Sequence, residues 1–369
     1  MAEKVIFGVI GGYGETGRVA VTQLYKFGTG NILIGGRDLG KASALAAELG
    51  DRVSAAQVDV LDPKSLVAFC SRTSVIINCA SPVMVLQDRV AQAALHARCH
   101  YVDAAGLGVV KERLLPQSAE IEKAGLSFVI SAGWLPGMSE FLPVYAEVQA
   151  RRKMESVESV TVYLGDTDDW SPNALREAVW LIRKLGTSRR GYFRNAEWVR
   201  AGLLRTWRKA DIGGQLGVRQ FALFATPEMN DVAKQLKNGT LLTYACVPGV
   251  RVLIATILAT LPLPQGWCAR RLRNALRKNR LPVGGFITVE IKGRSDRQSL
   301  RLTEQIAYAR GRGYWMNGLV PATVANMIAA RNGVVSGLHF LPDAVDPLTL
   351  MSELHKAGVE GTETLAAVE

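Results

Sequence analysis

Short apolar runs recur through residues 1–135, each bounded by glycine, proline or polar turn residues: Val5–Ile10, Asn31–Gly35, Val53–Val60, Ser74–Cys79, His100–Asp103 and Ser127–Ser131. Between them, apolar residues return every three or four positions, as in Leu39–Leu49 and Val85–Ala97. Short continuous runs read as strands buried on both faces, and the spaced segments read as helices. Strand and helix in regular alternation predict a doubly wound parallel sheet, because right-handed crossovers lay the helices on both of its faces.

Beyond this region the pattern changes. Glu158–Asp166, Phe286–Gly293 and Leu300–Tyr308 alternate apolar with polar positions, which predicts an antiparallel sheet covered on one face. Helical spacing resumes at Val320–Ala330. The pattern therefore changes near Pro136–Ser139 and again near Gly313–Gly318, which sets apart residues 1–137, 138–315 and 316–369. The longest apolar run, Val252–Leu263, falls short of the roughly 20 residues a membrane-spanning helix requires.

The first strand runs into Gly11-Gly12-Tyr13-Gly14-Glu15-Thr16-Gly17, at the start of the first helix. In that context Gly12 would permit a tight turn, Gly14 would let the backbone approach a diphosphate, and Gly17 would allow close helix packing. Gly11 offers a second register, G-x-x-G-x-x-G. Tyr13, Glu15 and Thr16 lie within the loop, whose exposed N–H groups and positive helix end favour an anion.

The second strand ends in Arg37 and Asp38. Arg37 is placed to bind a 2′-phosphate, with Lys41 as a second cation, and Asp38 then caps the next helix; the combination predicts NADP(H). Further ligand-facing candidates stand at later strand ends: Asp59 and Val60, then Ala80, Ser81 and Pro82. Asp103 closes the fifth strand and is a catalytic or substrate-side candidate, with a turn or cap role as the alternative. Trp134 and Trp170 are substrate-side candidates, and Tyr314 is the candidate proton donor.

Composition narrows the picture in two places. Five scattered cysteines without a C-x-x-C pair, and four histidines without metal spacing, predict neither a disulfide framework nor a metal site. They fit a reducing cytoplasm, as does an N-terminus that enters a strand directly. The net charge of +11 gathers in the middle of the chain. There Trp170, Trp180, Trp198 and Trp207 interleave with Arg183, Lys184, Arg189, Arg190, Arg194, Arg200, Arg205 and Arg208. Six cations follow between Arg270 and Arg280. With no nucleic-acid-binding motif beside them, two readings remain: a solvated basic face over a core, or a basic surface beside an apolar substrate groove. Such a surface could meet an acidic carrier protein bearing the substrate, or an anionic lipid.

The ordered series "GGYGETG", "GRD", "VDVLDPKSL", "INCASP", "HYVDAAG" and "AGWLPGMS" resembles the saccharopine dehydrogenase family, in its saccharopine reductase-like branch. The likeness returns at "VGGFITVEIKG", "AYARGRGYW" and "LPDAVDPLTLMSEL". It implies a variant Rossmann doubly wound domain over residues 1–137, an inserted mixed α/β substrate domain over 138–315 and a C-terminal return to the first domain over 316–369. It also implies a cytoplasmic NADPH-dependent oxidoreductase acting in biosynthesis, expected as a homodimer. Its relatives transfer hydride to carbon–nitrogen or conjugated carbon–carbon double bonds. The apolar, tryptophan-rich insertion argues against saccharopine itself, which carries several carboxylates. A dinucleotide-binding scaffold or sensor without turnover is the alternative.

Overall fold

The apolar runs of the first third become strands β1 (Ile6–Ile10), β2 (Asn31–Gly36), β3 (Val53–Gln57), β4 (Val75–Asn78), β5 (His100–Asp103) and β6 (Ser127–Ile130). Ten more follow: β7 (Ser156–Asp166), β8 (Gly191–Arg194), β9 (Glu197–Arg200), β10 (Trp207–Asp211), β11 (Val218–Leu223), β12 (Thr240–Cys246), β13 (Gly285–Ser295), β14 (Gln298–Tyr308), β15 (Gly337–Phe340) and β16 (Gly361–Ala367). They belong to a computed structural model that describes residues 5–185, 190–202, 206–236, 239–296 and 298–368. Arg189 and Arg205 of the basic middle region lie outside the described residues.

The chain divides into two units, the first comprising Met1–Met138 and Tyr314–Gly358. Its seven strands run in the order β15-β6-β5-β4-β1-β2-β3, and every ladder is parallel. The doubly wound sheet anticipated from the alternation is therefore present. The inner strands are largely apolar because both faces are covered: Val9, Ile32, Ile34, Ile76, Ile77, Val102 and Phe128 are buried. Asp38, Asp62 and Asp346 start three of the helices by accepting backbone N–H bonds from Lys41, Lys64 and Thr349.

Two expected elements are shorter than their apolar patterns. The third strand stops at Gln57 rather than Val60, since Asp59 turns the chain: its Oδ1 accepts the Leu61 N–H at 2.9 Å, and its own N–H donates to Ser65 Oγ at 3.1 Å. The stretch Val85–Ala97 forms two helices, Val83–Leu86 and Arg89–His96, separated where Gln87 adopts a positive φ of 51°. A left-handed residue cannot continue a right-handed helix.

The second unit comprises Ser139–Gly313 and Val359–Glu369. Its sheet runs β10-β11-β12-β7-β13-β14-β16, with the hairpin β8–β9 attached to β12. The alternating strands do pair antiparallel along β7-β13-β14, in long unbroken registers apart from one shift at Lys292/Gly293. The sheet is nevertheless mixed and not wholly antiparallel, because β12 lies parallel to β7. Parallel neighbours need a long crossover, and here it includes the helix Pro172–Leu185. Three helices, Pro172–Leu185, Val250–Thr260 and Gln265–Lys278, share one apolar cluster built on Leu175, Val179, Ala255, Ala259 and Leu272. The C-terminal segment, read as wholly part of the first domain, sends its last strand elsewhere: β16 pairs antiparallel with β14. No described helix is long and apolar enough to cross a membrane.

Candidate active site

The strand order reverses at β1. From β1 the chain moves outward through β2 to β3, then crosses to β4 on the other side. Loops leaving the carboxyl ends of two strands at such a reversal diverge and open a crevice between them. The glycine loop occupies this position, and its two leading N–H groups, of Gly11 and Gly12, donate to Gly35 O at 2.8 and 3.3 Å. The positive φ of 75° falls on Gly11, so the tight turn belongs to Gly11 and not to Gly12. The operative spacing is thus the second register, Gly11-x-x-Gly14-x-x-Gly17.

Each remaining glycine of that register meets a different constraint. A Cβ on Gly17 would stand 2.1 Å from Gly11 O and 2.6 Å from Gly12 Cα, so the first helix closes directly on the turn. A Cβ on Gly14 would meet only Gly11 O, at 3.2 Å. Gly14 is exposed and precedes the helix Glu15–Phe27, whose start has no side-chain cap. Protein packing therefore demands Gly17, whereas the space at Gly14 is open for a ligand. An uncapped helix start beside open backbone suits a diphosphate.

At the end of β2, Tyr13 lies across Gly36, where a Cβ would sit 2.3 Å from its ring, and the Tyr13 hydroxyl accepts the Asp38 N–H at 3.1 Å. Asp38 turns its carboxylate into the following helix, accepting the Lys41 N–H at 3.0 Å, and that bond holds its carboxyl below the usual range. Arg37 and Lys41 are exposed at the same turn. Asp59 is committed to its own turn, and Val60 is buried.

After β4, Asn78 Oδ1 accepts the Ala80 N–H at 3.1 Å, and Asn78 Nδ2 donates to the Tyr101 hydroxyl at 3.2 Å. This pair shapes Ala80-Ser81-Pro82 against the glycine loop: a Cβ on Gly11 would stand 3.0 Å from Ala80 N. Cys79 between them is half-buried, and desolvation pushes its thiol up to about 12. The sequence places Asn78 and Tyr101 at neighbouring strand ends, but the bond between their side chains is a feature of the tertiary structure.

Asp103 is buried at the end of β5. Its Oδ1 accepts the N–H groups of Ser131 (2.9 Å) and Gly106, while Oδ2 has no hydrogen-bond partner among the described residues. Burial pushes its carboxyl up to about 6, against the opposing pull of those two N–H groups. Ser131, at φ 59°, accepts the Leu107 N–H with Oγ. Asp103 thus clasps the loops after β5 and β6, the turn role the sequence left open. Trp134 is buried within the first unit, where its N–H donates to Asn317 Oδ1 at 2.9 Å.

Asn317 belongs to the helix Gly313–Ala329, which packs on the first helix through Gly318: a Cβ there would lie 2.5 Å from Thr16 O. Tyr314 stands in the first turn of the same helix and is half-buried. Trp170 belongs to the second unit, where its Nε1 donates to Asp166 Oδ1 at 2.8 Å. The first unit therefore gathers the glycine loop, the Arg37–Lys41 turn, Ala80–Pro82 and the Tyr314 helix. No cluster of three or more metal-ligating side chains occurs among the described residues.

Residues 7–129, which hold this loop and both flanking strand ends, match the saccharopine dehydrogenase NADP binding domain. That domain spans one third of the chain, and the resemblance to saccharopine dehydrogenases is specific there. With that domain the chain is an NAD(P)-dependent oxidoreductase, whose first unit holds the NADP-binding domain. No curated protein matches its sequence. Among solved structures, apo saccharopine dehydrogenase (L-Glu forming) from Saccharomyces cerevisiae is similar at a TM-score of 0.66 and 16% identity, covering 99% of this chain and 100% of that one. A probable dehydrogenase from Thermotoga maritima reaches a TM-score of 0.52 at 8% identity, covering 97% of this chain and 98% of that one. At those identities the likeness is one of fold.

Proposed function

We propose that this protein is an NADPH-dependent reductase that delivers hydride to a C=N bond, or to a conjugated C=C bond, of a fairly apolar biosynthetic intermediate. One observation carries the choice of NADPH: the Asp38 carboxylate caps the following helix and pairs with Lys41 Nζ at 3.5 Å, which leaves the exposed Arg37 to meet a phosphate at the end of β2. A site for unphosphorylated ribose would need that carboxylate turned outward.

The residues fit the cofactor. The loop Gly11–Gly17 and the uncapped helix start would hold the diphosphate, Arg37 and Lys41 the 2′-phosphate, and Ala80, Ser81 and Pro82 the nicotinamide end. When bound, the nicotinamide supplies the hydride. What remains for the chain is to orient the acceptor, exclude water and deliver a proton, for which the Tyr314 phenol is the candidate. Asp103 serves as a positioning residue, because its carboxylate shapes the loops around the crevice.

The apolar acceptor rests on the tryptophan-rich composition of the insertion, in which Trp170 and Trp267 pack against the three-helix cluster of Leu175, Val179 and Leu272. A cytoplasmic setting accords with five free cysteines. The test is NADPH oxidation by the purified protein against a panel of cyclic imines and α,β-unsaturated thioesters. Turnover of one class, abolished or strongly reduced in Tyr314→Phe, is the expected result. Tight NADPH binding without oxidation across both classes would replace the reductase with a non-catalytic NADP(H) sensor.

A further inference from the structure

The helix Val250–Thr260 is built inside out. Its buried side carries the small or medium residues Val252, Ala255 and Ala259. Its outer side carries Val250, Ile254, Ile257 and, just past its end, Leu261, which are 67%, 51%, 52% and 45% exposed. The spacing of four, three and four residues sets these aliphatics in one stripe opposite the buried side. Scattered exposed aliphatics are ordinary, but a contiguous row on one helix marks a surface that meets something apolar.

The neighbouring helix supplies the opposite character. A short connection through Pro262, Leu263 and Pro264 turns the chain back, so that Gln265–Lys278 lies beside the first helix in the same cluster. Arg183 fixes this turn by donating to the carbonyls of Ala259 (2.9 Å), Leu261 (3.1 Å) and Leu263 (2.6 Å). The outer side of Gln265–Lys278 is cationic, with Arg270, Arg271, Arg273, Arg277 and Lys278 exposed. Asp169 engages Arg277 and Arg280 but leaves the others facing solvent. Arg271 stacks over the half-buried ring of Trp267, 4.9 Å from its centroid.

We propose that this helical hairpin docks the protein on an anionic phospholipid surface. The aliphatic stripe would enter the acyl boundary, while Arg270, Arg271, Arg273 and Lys278 would lie among the headgroups. A row of aliphatics beside a row of cations is the pattern of an interfacial helix, in which apolar insertion and attraction to anionic lipid act together. An acidic protein would engage the cations but leave the aliphatic stripe without a matching surface.

The experiment is flotation of the full-length protein with phosphatidylcholine vesicles, with and without about one-third phosphatidylglycerol, at salt between about 50 and 500 mM. Wild type is expected to float with the anionic vesicles at low salt and to remain behind with pure phosphatidylcholine. The double variant Ile254→Gln/Ile257→Gln leaves the charge unchanged and should lower the bound fraction about fivefold. Arg270→Glu/Arg271→Glu/Lys278→Glu should abolish floating. All changed positions are solvent-facing, and coincident thermal melts confirm that each variant is folded. Wild type that ignores anionic vesicles at low salt overturns the proposal, as does an isoleucine double variant that binds as well as wild type. Loss of a dimer in that variant, with no vesicle binding by wild type, would assign the stripe to a second copy of the chain instead.

Discussion

The Tyr13 hydroxyl accepts a hydrogen bond from the Asp38 backbone N–H at 3.1 Å, joining the glycine loop to the turn that ends β2. Through it the diphosphate loop and the candidate 2′-phosphate cations are held in one frame.

NADPH should therefore bind at least about tenfold more tightly than NADH, since charge-assisted bonds to a phosphate contribute about 1.5–3 kcal/mol. Arg37→Asp should erase the preference, and Tyr13→Phe should weaken NADPH binding less. Fluorescence titration of both nucleotides checks this; equal affinities in the wild type would remove Arg37 from the site.

Gly14 and Gly17 should separate binding from folding. Gly14→Val has one tight backbone neighbour and should fold with a loss of about 1 kcal/mol, yet lose NADPH binding by filling the space left for the diphosphate. Gly17→Ala drives a methyl into Gly11 O and should cost about 2–3 kcal/mol of stability. Denaturant melts beside NADPH titrations distinguish the two. A folded Gly14→Val protein with unaltered affinity would reduce the loop to a turn.

Asp103 should leave a signature in the pH dependence of stability. Its carboxyl, ordinarily near 3.8, sits at about 6 in the folded chain, so the folded state holds a proton the unfolded state has released. Its contribution to stability accordingly falls as pH rises from about 4 to 6, by roughly 3 kcal/mol. Asp103→Asn keeps an acceptor for Ser131 and Gly106, and should flatten that part of the melting-temperature profile. A profile identical to wild type between pH 4 and 6 would contradict the raised value.

Asp168 should prove a structural anchor of the second unit. It is buried and accepts the N–H groups of Gly311 (2.9 Å) and Gly313 (2.8 Å) at the start of the long helix. Asp168→Ala leaves those groups without their acceptor and should destabilise the protein by about 2–3 kcal/mol, with Asp168→Asn intermediate. Urea unfolding measures both; an unchanged midpoint for Asp168→Ala would show that solvent satisfies the loop equally well.

Where burial on both faces of a sheet forces continuous apolar strands, the sequence alone determined the result: β1 to β6, the helices between them and the glycine turn follow from local pattern. The cap at Asp38 was legible for the same reason, because a carboxylate beside a helix start acts on its own backbone neighbours. Tertiary structure decided what depends on distant partners. The tight turn moved from Gly12 to Gly11 because Gly35, on another strand, receives the loop's N–H groups. β12 lies parallel to β7, and β16 joins the second sheet, since alternation fixes which face of a strand is buried but not its neighbour. The helix that carries Tyr314 is held on the first helix by the packing of Gly318, a contact between residues some three hundred positions apart along the chain. The segment from Val250 to Leu261 is legible in sequence only as an apolar run too short to span a membrane; that one row of it faces outward was settled by which side of its helix Ala255 and Ala259 allow to pack closely.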